Sequence, residues 1–116
     1  MSIKNRQFDS EILIANDETE TTTIQSGWFD VSGYHNMLLL IDVTAVAGTN
    51  PTLDITVETP GKLKSVQFTI DTVPTISAVG KTVQFVDVRG VHWIRLNYTI
   101  GGTTPSFTFD IIGTAE

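Results

Sequence analysis

Cysteine is absent from the sequence. That excludes disulfides, thiolate metal sites and a cysteine nucleophile. Stability must therefore come from a packed core or from assembly. Basic residues are scarce as well: seven Lys and Arg stand against 13 Asp and Glu, for a formal net charge of −6. Affinity for nucleic acid rests on neutralising phosphates. Lys4, Arg6, Lys62, Lys64, Lys81, Arg89 and Arg95 are too few and too scattered for that, so no nucleic-acid partner is expected. No apolar run nears the ~20 residues of a membrane helix. The longest, Met37 to Ile41, has the length of a strand core, and no membrane partner is expected. No apolar stretch follows the basic opening Met1–Arg6 either, which argues against a secretory signal there.

The usual chemistry is also missing. The two histidines, His35 and His92, lie in no metal-ligand spacing. His92 shares the Ile94 and Leu96 face of a predicted strand and reads as a core-edge histidine. There is no Gly-x-Ser-x-Gly elbow, and Gly101-Gly102 lacks the strand-to-helix setting of a phosphate loop. Asp17, Glu18 and Glu20 crowd one predicted turn, the first place to look for calcium. They lack the D-x-D-x-D-G pattern, so a solvated acidic turn is expected. Asp42, Asp54 and Asp110 sit on strands, and Asp54 should face water. Two such carboxylates could hydrolyse glycosides at the right separation, but nothing in the sequence sets that separation. No cofactor, no tightly bound metal and no catalysis are expected.

What is present is alternation and an internal repeat. Gly48-Thr49-Asn50-Pro51-Thr52-Leu53 matches Gly102-Thr103-Thr104-Pro105-Ser106-Phe107, and Ile55 and Val57 fall on Phe109 and Ile111. Ile41 and Val43 align with Leu96 and Tyr98 only if the first copy carries an extra residue near Val46, the signature of a β-bulge. Each copy reads as a hairpin, Tyr34–Ala45 with Thr52–Glu58 and Val91–Ile100 with Ser106–Ile112. Their turns, Ala47–Asn50 and Gly101–Thr104, are expected to be exposed at one end of the molecule. Gly48 and Gly102 should need φ > 0 or a close backbone approach. Further short strands are expected at Glu11–Ala15, Thr21–Gln25, Trp28–Val31, Lys62–Ile70 and Thr82–Val88, with an irregular connection over Asp71–Gly80. In Thr82–Val88 the pattern leaves open whether Val83 and Phe85 or Val86 and Val88 face inward.

No segment holds a helical period. Short strands punctuated by Gly, Pro and Asn predict an all-β fold: one antiparallel β-sandwich, jelly-roll-like, of eight or nine short strands. Residues 1–8 read as an N-terminal arm and 9–116 as the sandwich domain. Ile41, Val43, Ile55, Val57, Val66, Phe68, Ile94, Leu96, Phe107 and Phe109 are the expected core, with Phe85 and Tyr98 also read as packing residues. Trp28 and Trp93 are the aromatics most open to a contact role. Trp93 alternates with Arg95 and Asn97, a face that reads as wet.

From Gly27-Trp28-Phe29 onward, the run DVSGYHNMLLLIDVTAVAGTNPTLDITVET followed by YTIGGTTPSFTFDI resembles small β-sandwich structural proteins of tailed-bacteriophage virions. Among these it is most similar to auxiliary or decoration proteins of the head. The resemblance covers roughly residues 26 to 112 and rests on turns and core positions, so it carries over no site residue. It implies a non-enzymatic protein of the virion head surface, made in the host cytoplasm. The implied partner is the major capsid protein and the implied state a homo-oligomer, a trimer. Expected contact residues are Ile3, Lys4, Arg6 and Phe8 of the arm, Trp28, and the paired turns Ala47, Gly48, Thr49, Asn50 and Gly101, Gly102, Thr103, Thr104. The competing expectation is a tail, baseplate or fibre module that binds a host-surface carbohydrate. That role needs exposed aromatics beside polar groups, whereas a capsid role needs flat apolar contacts.

Overall fold

The computed structural model describes residues 11–61 and 66–116. The expected arm, with Ile3, Lys4, Arg6 and Phe8, lies outside them. So do Lys62–Ser65, the start of an expected strand. The described residues hold seven strands and no helix. They are β1 (Glu11–Glu20), β2 (Ile24–Gln25), β3 (Phe29–Asp30), β4 (Asn36–Pro60), β5 (Gln67–Thr72), β6 (Gly80–Asp87) and β7 (Trp93–Ala115). Every pairing is antiparallel. The antiparallel β-sandwich predicted from the alternation is the fold observed.

The two predicted hairpins are not hairpins. β4 and β7 are continuous strands of 25 and 23 residues. They pair with each other almost end to end, from Met37 opposite Ala115 to Glu58 opposite Arg95. A straight strand of that length would run about 80 Å, but the longest dimension of the molecule is 46 Å. The ribbon therefore folds over at its middle, where Thr49 faces Thr103, and each strand passes from one sheet to the other. The first sheet runs β6, β4 (36–43), β7 (107–115), β1. The second runs β5, β4 (56–60), β7 (93–98), with β2 and β3 sharing the far edge. Counted by sheet, the two long strands supply two pieces each, which gives nine strands among the described residues, within the expected eight or nine.

The repeat is the reason the ribbon can turn this corner. Gly48 and Gly102 have φ of +108° and +114°, and Asn50 and Thr104 have φ of +49° and +45°. A Cβ on Gly48 would lie 2.7 Å from the Thr104 carbonyl oxygen, and one on Gly102 would lie 2.7 Å from that of Asn50. Each glycine is thus needed twice, for its backbone angle and for the close crossing of the other copy. The extra residue of the first copy is Thr44: Val43 faces Phe109 and Ala45 faces Thr108. It sits two positions upstream of the place the alignment suggested.

Both halves of each long strand present a face to the core. Met37, Leu39, Ile41, Val43, Leu53, Ile55 and Val57 of β4 are buried, as are Ile94, Leu96, Tyr98, Phe107, Phe109 and Ile111 of β7. Tyr98 and Phe109 meet across the sandwich with ring centroids 5.1 Å apart. Glu116 is pinned by main-chain hydrogen bonds: its N–H donates to the Asn36 carbonyl, and its own carbonyl accepts from His35 and Asn36.

Four expectations are corrected. Val66 and Phe68 are 47% and 57% exposed, not core. Val57 faces Asp71 and Glu58 faces Thr69, so Ile70 is an extra residue that breaks the phase of β5. Ile70 packs against the core while Phe68 lies over Gly61 instead. Phe85 is 75% exposed, because Val86 and Val88 take the inward face of β6. Asn16–Glu20 is no turn but the bulged second half of β1, with Asp17 at φ +50°. His92 is exposed ahead of β7 rather than at the core edge, and its carbonyl accepts the Val31 N–H.

Candidate interaction faces

The corner comes first, because the sequence nominated it. Ala47, Gly48, Thr49 and Asn50 are exposed, as are Gly102, Thr103 and Thr104, with Gly101 half-buried. The two stretches form one ridge, since they pair with each other. Its outward groups are backbone and threonine hydroxyls, and Thr104 Oγ1 is turned back onto the Thr103 carbonyl. The ridge offers shape and hydrogen bonds, with no charge.

A second surface was not singled out from the sequence: the outer face of the first sheet. Register places side chains in rows across its four strands. Val83, Leu40, Ile112 and Leu13 form one row, from β6 through β4 and β7 to β1. Phe85, Leu38 and Thr114 form the next. Leu13, Val83 and Leu40 are 59%, 56% and 40% exposed. Lys81, Asp42 and Asp110 form the row on the other side. The first and last of these rows line a shallow groove of about 530 Å³. Lys81 Nζ lies 3.3 Å from Asp42 Oδ1, and Asp110 Oδ1 accepts the Asp17 N–H. Asp42 and Asp110, two of the three strand carboxylates considered above, are thus direct neighbours, each already engaged. The signal for this face was in the sequence: Met37–Ile41 is apolar without alternation, as a strand apolar on both sides must be.

The outer face of the second sheet is polar and aromatic. The Arg95 guanidinium carbon lies 4.7 Å from the Trp28 ring centroid, a cation–π contact. Arg95 Nε donates to Glu58 Oε1 at 3.0 Å, and Glu58 is its partner in the ladder. Gln25 donates to Asn97 at 2.7 Å, and Thr75 donates to Asp54 Oδ1 on the same face. Trp28 and Trp93 remain 38% and 43% exposed.

The acidic stretch of β1 does something else. Glu18 and Glu20 face Phe109 and Phe107 in the ladder, which turns them toward the rim of the core. Partial burial, a hydrogen bond with Glu20 and the Glu20 charge raise the Glu18 carboxyl above its ordinary value. Burial, then the charges of Glu18 and Glu20, push the Tyr98 phenol up. Tyr98 Oη is buried with no hydrogen-bond partner among the described residues. Asp87 is held down at about 2 by the Arg89 side chain and backbone N–H, with the charge of His35 adding to this. Among the described residues no three His, Cys, Asp or Glu side chains gather as a metal site would require.

No family model matches the sequence, and no curated protein matches it. Solved structures do match. YomS, derived from the SPBc2 prophage, is 10% identical, with 91% of both chains covered and a TM-score of 0.56. The PBSX exported protein XepA is 12% identical over 90% of this chain and 36% of its own, with a TM-score of 0.61. VP2 of infectious bursal disease virus, from a subviral particle, is 12% identical over 90% of this chain and 32% of its own, with a TM-score of 0.57. The chain spans nearly all of YomS and about a third of the other two. At such identities the likeness is one of fold.

Proposed function

We propose that this protein is a non-enzymatic structural component of a tailed-phage virion that binds the outside of the capsid and reinforces it. The observation that carries the reading is the exposed apolar outer face of the first sheet, a surface suited to contact. The fold, shared with the SPBc2 prophage-derived YomS, the PBSX exported protein XepA and VP2 of a subviral particle, supports it. The partner is the major capsid protein, the working state a homotrimer, the location the head surface, and the site of synthesis the host cytoplasm. That face, with Ile3–Phe8, Trp28 and the ridge formed by Ala47–Asn50 and Gly101–Thr104, supplies the proposed contacts. Binding the assembled shell and not its free subunits stabilises the shell by mass action. Many weak contacts add through multivalency.

The test is to mix the protein, intact or lacking residues 2–8, with undecorated capsids and measure occupancy and capsid heat resistance. The intact protein should bind and raise the capsid melting temperature, and the deletion should weaken both. Unchanged occupancy on deletion removes the arm from the contact. A specific observation favours a second reading: exposed Trp28 and Trp93 flank Arg95 and Glu58 beside Gln25 and Asn97. That is the layout of a sugar-stacking surface in a tail, baseplate or fibre module. No capsid affinity, together with host-glycan binding lost in Trp28→Ala, would replace the first reading with this one.

A further inference from the structure

We infer that the open edge of β6 pairs with β6 of a second copy of this chain, antiparallel and centred on Gln84. A free strand edge is a template for another chain, and folds commonly blunt their edges with bulges, prolines or short strands. Among the described residues, every strand edge but one is blunted. β1 carries two register shifts and Asp17 at φ +50°. β5 has a register shift of its own and is followed by Pro74. β2 and β3 are two residues long. β6 is eight residues long, pairs with Asn36–Val43 without a shift and holds no proline. No described strand lies on its other side.

The ladder shows which backbone groups are open. Asn36 exchanges two hydrogen bonds with Glu116, so its N–H and C=O point toward β7. That direction alternates along a strand, so the backbone groups of Met37, Leu39, Ile41 and Val43 point toward β6. Their partners there are Val86, Gln84, Thr82 and Gly80. The N–H and C=O groups of Lys81, Val83, Phe85 and Asp87 therefore point away from β4, out of the edge. The side chains of these four share the outer face of the sheet, where Val83 and Phe85 are 56% and 75% exposed.

Charge and size name the occupant. Outward backbone groups must meet outward backbone groups. With Gln84 on a two-fold axis they do: Lys81 faces the second copy's Asp87, and Val83 faces its Phe85. Each contact occurs twice, and each facing pair exchanges two main-chain hydrogen bonds. The neighbouring registers lose this fit. One sets Lys81 against Phe85, and the other sets Lys81 against Arg89 and Val83 against Asp87. Asp42 lies 3.3 Å from Lys81, and Arg89 lies 2.8 Å from Asp87. The joined edge thus carries alternating charges: Asp42, Lys81, then the second copy's Asp87 and Arg89. Opposite charges and apolar pairs facing across a ladder each stabilise it. The apolar row Leu13, Ile112, Leu40 and Val83 runs on into Phe85 and Leu38 of the second copy. This goes beyond the capsid reading: a two-fold contact leaves the proposed three-fold contact free and links neighbouring trimers.

The cysteine-free chain allows a test without capsids, so its failure is distinct from failure of the capsid reading. Val83→Cys and Phe85→Cys are made as single variants, checked by circular dichroism, mixed and oxidised mildly. The expected product is mainly the cross-linked heterodimer. It should be absent when Leu13→Cys, exposed on the opposite edge strand, replaces Val83→Cys. Sedimentation of the unmodified chain should show a concentration-dependent doubling of mass. Val83→Pro should lose the doubling and keep its β-sheet spectrum, because that N–H takes no part in the ladder with β4. Lys81→Glu leaves the backbone alone and should weaken the association about tenfold by setting like charges opposite each other. Adding Asp87→Lys should restore it. Cross-links formed mainly within either cysteine variant alone mean another register and overturn the inference. So does the absence of the heterodimer, and so does an association that Val83→Pro or Lys81→Glu leaves unweakened.

Discussion

Thr104 and Asn50 hold equivalent places in the repeat, yet they are not equally suited to them. Both have φ near +45°, where Asn is tolerated and a β-branched side chain is costly. Thr104→Asn should therefore stabilise the fold by about 0.5–1 kcal/mol, read as a higher urea midpoint at unchanged slope. Gly102→Ala should do the opposite, costing at least about 1–3 kcal/mol for the backbone angle alone, because its Cβ would also meet the Asn50 carbonyl at 2.7 Å. Gly27→Ala is the control: nothing lies within 4 Å of its Cβ, and the change should stay within about 0.5 kcal/mol. Glu18 adds a pH signature. Its carboxyl is raised in the folded state, so folding favours the protonated form. That contribution is full below the unfolded value and is lost as pH rises through the raised one. Glu18→Gln should accordingly raise the melting temperature at pH 7, and the gain should fade on acidification below the ordinary carboxylate range.

At the scale of elements, alternation announced the buried faces of β4 and β7, and those faces are the core. Partnership was not legible. Gly-Thr-Asn-Pro suits a hairpin turn and a sheet-to-sheet corner equally, because both need a left-handed residue beside a rigid proline. Only the opposing strand tells them apart, and it lies some fifty residues downstream. Phe68 was misplaced for a related reason: the extra Ile70 is defined by its partner strand and leaves no mark on the local pattern. Phe85 was ambiguous because the first sheet is apolar on both sides, which removes the contrast on which an inward assignment depends. The same ambiguity hid the apolar outer face. Substitutions separate the two kinds of phenylalanine. Phe109→Ala, at a fully buried ring, should cost about 3–5 kcal/mol. Phe85→Ser should cost no more than about 0.5 kcal/mol by urea denaturation, yet it should weaken any association that uses the outer face.

For the whole molecule, the corner ties each half of the sandwich to both long strands, so neither sheet is a unit by itself. Removing residues 111–116 deletes the partners of Met37–Ile41 and should abolish cooperative unfolding altogether rather than lower its midpoint. The folded-over ribbon also sets a schedule. On a translating ribosome, Asn36–Pro60 emerges long before residues 93–115 exist. β5 and β6 can pair with parts of it earlier, but such partial pairs are marginal alone, and the partner that spans it is β7. β1 is in the same position, since its ladder is also with the late strand. β1 and the β7-facing edge of β4 must wait unpaired, a template for association with other nascent chains. Folding should begin only once β7 has been made, and then run on the millisecond-to-second scale of non-local β pairing. Pulse proteolysis of chains arrested at successive lengths should find no protected fragment before β7 is complete.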